Sequence, residues 1–236
     1  MLENIPTSTI LFLDIETVPQ YPTYNHLPEH FKKLWNKKAT HLVKDDQTAF
    51  DVYPRAGIYA EFGKIICISV GYIAAKDSHL RIKSFYGDEE GVVLTQFAEL
   101  LNSHYNKSHH VLCAHNGKEF DFPYIARRML INGIKLPAIL QMAGKKPWEI
   151  SHIDTLELWK FGDYKNYTSL ELMATIFNIP TPKDDIDGSQ VYGVYYEEKN
   201  LQRIVEYCQK DVLTLARLLM KFKGEAYIED EQMSIV

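Results

Sequence analysis

Nowhere in these 236 residues does an apolar run approach the ~20 residues that a bilayer-spanning helix requires, so no transmembrane helix is expected. The amino-terminal stretch MLENIPTSTILFLDIETV is also no secretory signal. Glu3 precedes its apolar run, and carboxylates interrupt it. A cytoplasmic location follows as the expectation. Cysteine is scarce: Cys67, Cys113 and Cys208 are far apart, odd in number and form no CxxC pair. That excludes a disulfide framework and a zinc site, and leaves three thiols as buried apolar fillers. Internal repeats and low-complexity linkers are absent, so one domain is expected over 1–224, with an insertion at about 20–60 and a polar, flexible tail over 225–236. Positive charge is not in surplus either. The net charge of −5 argues against a polyanionic partner, unless several acids are gathered around cations that reverse the local sign. The lysine pairs 32–33, 37–38 and 145–146 read as solvated faces.

What is present is an alternation of apolar segments. ILFLDIETV (10–18) is a β-branched apolar run closed by Pro19, and KIICISVGYI (64–73) and LRIKSFY (80–86) read as two further strands joined by a turn. Residues 89–105 carry Val92, Val93, Phe97, Leu100 and Leu101 at helical spacing. HHVLCAHN (109–116) is a short buried strand, and Gly117 permits a turn after it. Helices follow at 122–130, where Pro123 suits a first turn, at 169–177 with Thr168 or Ser169 as cap, and at 200–222. A further helix is expected near 28–42. Three leading strands followed by strand–helix alternation indicate an α/β protein with a mixed β-sheet flanked by α-helices.

Three acidic sites stand out. In a strand, residues two apart share a face, so Asp14 and Glu16 project together beside Phe12, while Leu11, Leu13 and Ile15 face the other way. Paired carboxylates at the end of an apolar strand repel each other and resist burial, and a hard divalent cation resolves both problems. The plainer reading is a strand running out into solvent. Asp121, just before Phe-Pro, is placed as a helix cap or as a ligand. Asp211 lies one helical turn after Tyr207, which suits either an exposed Tyr–Asp pair or a functional one.

Taken together and in order, ILFLDIETV, HNGKEFDF and YCQKD resemble the three motifs of the DEDD superfamily of 3′–5′ exonucleases, in its tyrosine-bearing (DEDDy) branch. Glu206 stands where the sister branch has histidine. AEFGKIICISVG and DDIDGSQV (184–191) are similar to segments of proteins related to the exonuclease domain of family B DNA polymerases. The resemblance implies a ribonuclease H-like fold and a metal-dependent 3′–5′ exonuclease acting on single-stranded nucleic acid, DNA more than RNA. It implies that Asp14, Glu16, Asp121 and Asp211 hold two divalent cations, Mg²⁺ or Mn²⁺, with Tyr207 orienting the attacking water. A phenol with a pKa near ~10 is suited to positioning rather than to proton abstraction. Asn116, Phe120, Phe122 and Thr17 are candidates for the pocket of the terminal nucleotide, with one of the two phenylalanines expected in the core. His152 and Asp154 are secondary candidates.

Two other functions fit parts of the pattern. LFLDIETV also resembles the nucleophile motif of haloacid-dehalogenase-type phosphatases, with Asp14 as nucleophile, but Glu16 stands where that family has Asp. A non-catalytic nucleic-acid-binding module on the same fold is the other, although four intact acids would oppose binding of a polyanion. The terminal QMSIV weakly resembles peptides that dock on the bacterial sliding clamp.

Overall fold

A computed structural model describes residues 2–76, 78–163, 167–180 and 186–236. Six strands form one mixed sheet: β1 (Ile10–Pro19), β2 (Gly63–Ile73), β3 (Leu80–Tyr86), β4 (Val111–Ala114), β5 (Ile153–Asp154) and β6 (Met233–Ile235), in the order β5-β4-β1-β2-β3-β6. The β1–β2 and β2–β3 pairings are antiparallel, and β1–β4, β4–β5 and β3–β6 are parallel. This is the mixed sheet flanked by helices that the segment order predicts.

Alternation along β1 decides which helices cover which face. Leu11, Leu13 and Ile15 pack with α2 (Glu90–His104) and α3 (Asp121–Ile131), through Phe97, Leu101, Phe122 and Ile125. Ile10 and Phe12 pack on the opposite side against α7 (Leu201–Lys223), through Val212, Leu215 and Leu219. No helix among the described residues is long and apolar enough to cross a membrane. A buried ion pair ties α2 to α3: Arg128 meets Glu90 at 2.5 Å and also donates to the carbonyl of Ala60 at 2.9 Å.

The insertion after β1 is folded. It contains α1 (Glu29–Ala39) and an aromatic cluster around Trp35, Tyr53 and Phe62, and Trp35 Nε1 donates to the Ala49 carbonyl at 2.8 Å. Its two ends meet where Gln20 N–H donates to the Phe62 carbonyl at 2.8 Å.

Four short elements were not expected. The two residues of β5 are too few to show a period. The next, α4 (Thr155–Lys160), starts directly behind it, and α5 (Leu170–Ile176) follows with Ser169 as its cap, as expected. The sequence VYGVYY of α6 (Val191–Tyr196) is β-branched and aromatic, a strand composition. It is helical because Val191 and Val194 bury against Val18, Ile66 and Ile204. The last dozen residues, expected to form a loose polar tail, instead close the sheet edge. Arg217 draws them in, donating to the Ile228 carbonyl at 2.9 Å and to Asp230 at 2.6 Å, and β6 then pairs with β3. This also occupies the QMSIV segment: Gln232 serves a capping box, Ser234 Oγ bonds His79, and Val236 N–H donates to Ile82 O. A clamp-docking role would require stripping that strand from the sheet.

Candidate active site

The β4 partnership with β1 ends at Phe12↔Cys113, so the carboxyl-terminal half of β1 opens toward solvent on that side, at Asp14. Three chain segments fill in around it. The turn after β4 brings Asp121 to the first residue of α3, where the partial positive charge of a helix N-terminus favours a carboxylate. Phe120, not Asp121, occupies the cap position, and Asp121 turns back to accept hydrogen bonds from its own N–H and from that of Ile15. Opposite, α7 supplies Tyr207 and Asp211, which are hydrogen-bonded to each other one turn apart. Beside them, Cys208 Sγ donates to Asp14 Oδ2 at 3.2 Å. The ligand atoms of Asp14, Glu16 and Cys208 lie within 4.8 Å of one another.

The cost of this convergence is visible in the acidities. Burial, then Asp211 and Asp121, hold the Asp14 carboxyl well above the ordinary aspartate value, with the Cys208 hydrogen bond opposing them. Glu16, only 8 % exposed, is pushed up by burial, then by Asp14 and Asp211. Asp121 rises from 3.8 to about 7, chiefly through burial, with Asp154 and Asp211 adding repulsion against its two hydrogen bonds. The Tyr207 hydroxyl is raised above its normal range by burial and by Asp211, Glu16 and Asp14. Four carboxylates that repel one another in a partly desolvated cage form a donor set of hard oxygens, the set that Mg²⁺ or Mn²⁺ accepts.

Asp14, Asp121, Tyr207 and Asp211 open onto a cavity of about 870 Å³, whose walls also include Asn116, Phe120, His115, Tyr167, Thr214, Ile186, Asp187, Gly188 and Gln190. Glu16 is buried and is not part of this wall. Two expected pocket residues do not reach it. Phe122 is 0 % exposed and belongs to the core, its ring 5.1 Å from that of His152. Thr17 is engaged with the Tyr124 hydroxyl on the α3 side, because it shares the face of Leu13 and Ile15. Asn116 lines the cavity and shapes its turn. It takes a left-handed φ of 62°, a conformation asparagine tolerates, and its carbonyl accepts from the N–H groups of Glu119 and Phe120. At Gly117 a Cβ would fall against Ala114 and 2.9 Å from Phe122 Cζ, so only glycine fits.

Asp154 proves to be a brace, 4 % exposed. Its Oδ1 accepts from the N–H groups of Asn116 at 2.9 Å, Leu156 at 3.0 Å and Glu157 at 3.3 Å, and its Oδ2 accepts from Lys118 N–H at 3.0 Å. It thus caps α4 and pins the turn that carries Asp121. His152 is structural: Nδ1 accepts from Leu112 N–H at 3.3 Å, Nε2–H donates to the Ile139 carbonyl at 2.9 Å, and burial pushes its pKa down to about 4. His115 opens the HNGKEFDF segment but is not among the candidate site residues. Nε2–H donates to Thr168 O and Nδ1 accepts from the Thr155 hydroxyl, so both ring nitrogens are spent and burial lowers the pKa. Of the DDIDGSQV loop, residues 184–185 lie outside the described residues, and Ile186, Asp187, Gly188 and Gln190 form one cavity wall.

A family model described as a predicted 3′–5′ exonuclease related to the exonuclease domain of PolB matches residues 58–231, or 174 of 236. The match includes Asp121, Tyr207 and Asp211 and begins after β1, so Asp14 and Glu16 lie outside it. Among solved structures, the chain is similar to the family B DNA polymerase of the hyperthermophilic archaeon Pyrobaculum calidifontis, at 16 % identity and a TM-score of 0.50. The similarity covers 90 % of this chain and 24 % of the polymerase, so the chain spans about a quarter of that protein's length. The shared fold is the ribonuclease H-like one.

Proposed function

Because the chain belongs to the family of predicted 3′–5′ exonucleases related to the exonuclease domain of family B DNA polymerase, we propose that it removes nucleotides singly from the 3′ end of single-stranded nucleic acid, DNA in preference to RNA, with two divalent cations. One observation carries the reading: Asp14, Glu16, Asp121 and Asp211 converge from three distant segments, and Asp14, Asp121 and Asp211 face one open cavity together with Tyr207. The preference for DNA rests on the relation to a DNA polymerase.

Asp14, Glu16, Asp121 and Asp211 would hold the cations, which supply water activation and neutralise charge on the leaving 3′ oxygen. Glu16 closes the back of the cage and the other three face the cavity. Tyr207, its pKa raised, keeps its proton through neutral pH, so it orients water by its hydroxyl and does not serve as a base. His115 has no nitrogen left to exchange a proton. Phe120 offers a ring for the terminal base, and Asn116 frames the pocket beside it.

The test is a time course on 5′-labelled DNA and RNA strands with Mg²⁺, with Mn²⁺ and with chelator, for the wild type and Asp14→Asn. A descending ladder is expected from the wild type with metal, strongest on DNA, and no ladder from the variant. Undiminished hydrolysis by Asp14→Asn would remove the site assignment. Release of phosphate from small phosphomonoesters, with intact strands, would favour a phosphatase. Binding of strands without cleavage would leave a binding module.

A further inference from the structure

The chain is net acidic, yet residues 30–44 contain five lysines, two histidines and no acidic residue, so the remaining residues carry a net −10 (−5 minus +5). Most of that segment is α1. Its inner side is fixed by buried Trp35 and Ala39, and on a 100° helical projection His30, Lys33, Leu34 and Lys37 share the opposite stripe, all exposed. Two of the lysines have partners: Lys32 pairs with Glu29 at 3.0 Å, and Lys38 Nζ lies 4.2 Å from the Tyr59 ring centroid. Lys33 and Lys37, one turn apart, make no ion pair among the described residues. Two like charges at i,i+4 destabilise a helix slightly. Their repulsion is relieved when an anionic chain lies along them.

The placement of this helix suggests which anion. Because β1 and β4 are parallel, their carboxyl-terminal ends share one edge of the sheet, and both the carboxylate cavity and the insertion arise at that edge. Glu16 is three residues before Pro19, about 10 Å along a strand. The end of β1 and the start of the insertion are then held against α6: Tyr196 Oη donates to the Pro19 carbonyl at 2.6 Å, and Tyr192 Oη to that of Pro22 at 2.7 Å. Gln190, which caps α6, belongs to the cavity wall. The segment that leads into the basic helix is therefore fastened to the element that continues the wall of the site.

From this we infer that the Lys33–Lys37 stripe of α1 binds the phosphodiester backbone of the substrate strand, upstream of the 3′ terminus held in the cavity. The inference rests on the nuclease reading of that cavity. It gives a net-acidic protein a local means of holding a polyanion outside the metal cage, and it makes productive binding depend on strand length. Phosphate contacts of this kind are independent of base sequence and sensitive to salt.

The test uses the full chain with Lys33→Gln/Lys37→Gln, and with Lys145→Gln/Lys146→Gln as an exposed control pair elsewhere. Hydrolysis is measured on a tetranucleotide and on a long single strand across a salt series. For the α1 variant, constants on the tetranucleotide should match the wild type. On the long strand KM should rise several-fold with kcat unchanged, and the slope of log(kcat/KM) against log[salt] should flatten by about 1.4, or about 0.7 for each lost phosphate contact. The control pair should behave as the wild type. Equal constants and slopes for variant and wild type would overturn the inference, as would equal losses on both substrates. A loss confined to binding of anionic lipid vesicles, with nuclease constants intact, would also overturn it by assigning the stripe to membranes. Anisotropy of a fluorescent long strand, recorded in chelator, reads the surface without hydrolysis. If the wild type binds there through α1 but never cleaves with metal, the nuclease reading fails and the surface stands.

Discussion

The strained acidity of the cage makes the metal-free protein sensitive to pH in a direction that can be worked out. Asp121 in the folded chain titrates at about 7, against an ordinary 3.8, mainly because it is buried. A carboxyl raised in this way favours the folded state only while it is protonated. Its contribution is complete below about pH 4, declines through the interval, and is gone above about pH 7. At about 1.4 kcal/mol per pH unit, the gap corresponds to roughly 4 kcal/mol. Asp14 and Glu16, also raised by burial, act in the same sense. Asp121→Asn removes the proton-dependent part at this position, so in chelator its stability relative to the wild type should grow by a few kcal/mol between about pH 4 and pH 8. For a chain of this size that is a gain on the order of 10 °C in Tm at the alkaline end. Taking the difference between the two proteins cancels the titration of groups away from the site. Saturating Mn²⁺ at about pH 8 should reverse the ranking, because only the wild type keeps its full set of oxygens. Thermal unfolding followed by circular dichroism, with chelator and then with metal, measures all of this. A wild type and Asp121→Asn pair whose Tm difference stays flat across the interval would refute the electrostatic account of the cage.

Two further outcomes separate neighbours that look alike in sequence. Phe122→Ala should cost about 3–5 kcal/mol in urea unfolding, as a filled core position would, whereas Phe120→Ala should change stability little and raise KM. Asp154→Ala strands four N–H groups, at about 1–3 kcal/mol for each buried donor left unsatisfied, and loosens the turn carrying Asp121. Its apparent Mn²⁺ affinity should therefore fall along with its Tm, and an unchanged affinity would confine Asp154 to capping α4.

The parts of this molecule that could be read in advance share a physical cause. Residues 10–18, 64–73 and 200–222 are long enough for burial to impose a period, and their boundaries were expected to within a residue or two. Asp14 and Glu16 were legible because two carboxylates on one face of an apolar strand have no structural use. The unread parts depend on contacts far apart in sequence. Asp154 looks like any aspartate before a short helix until its partners at 116 and 118 are known. Nothing local tells Phe120 from Phe122, since the start of α3 alone decides which ring turns inward. The polar stretch EDEQ conceals the anchoring of β6 because Arg217, the residue that holds it, belongs to another element.

The cage draws on positions 14, 16, 121, 207 and 211, which span most of the chain. Residues 14 and 211 meet only after nearly two hundred residues have been ordered between them, so no fragment and no intermediate with α7 undocked can assemble the full set of oxygens. Under the proposed function, a partly folded molecule is therefore a safe one for the cell's nucleic acids. Hydrolysis is confined to finished chains, and loss of activity on heating should track loss of the packing between that one helix and the sheet.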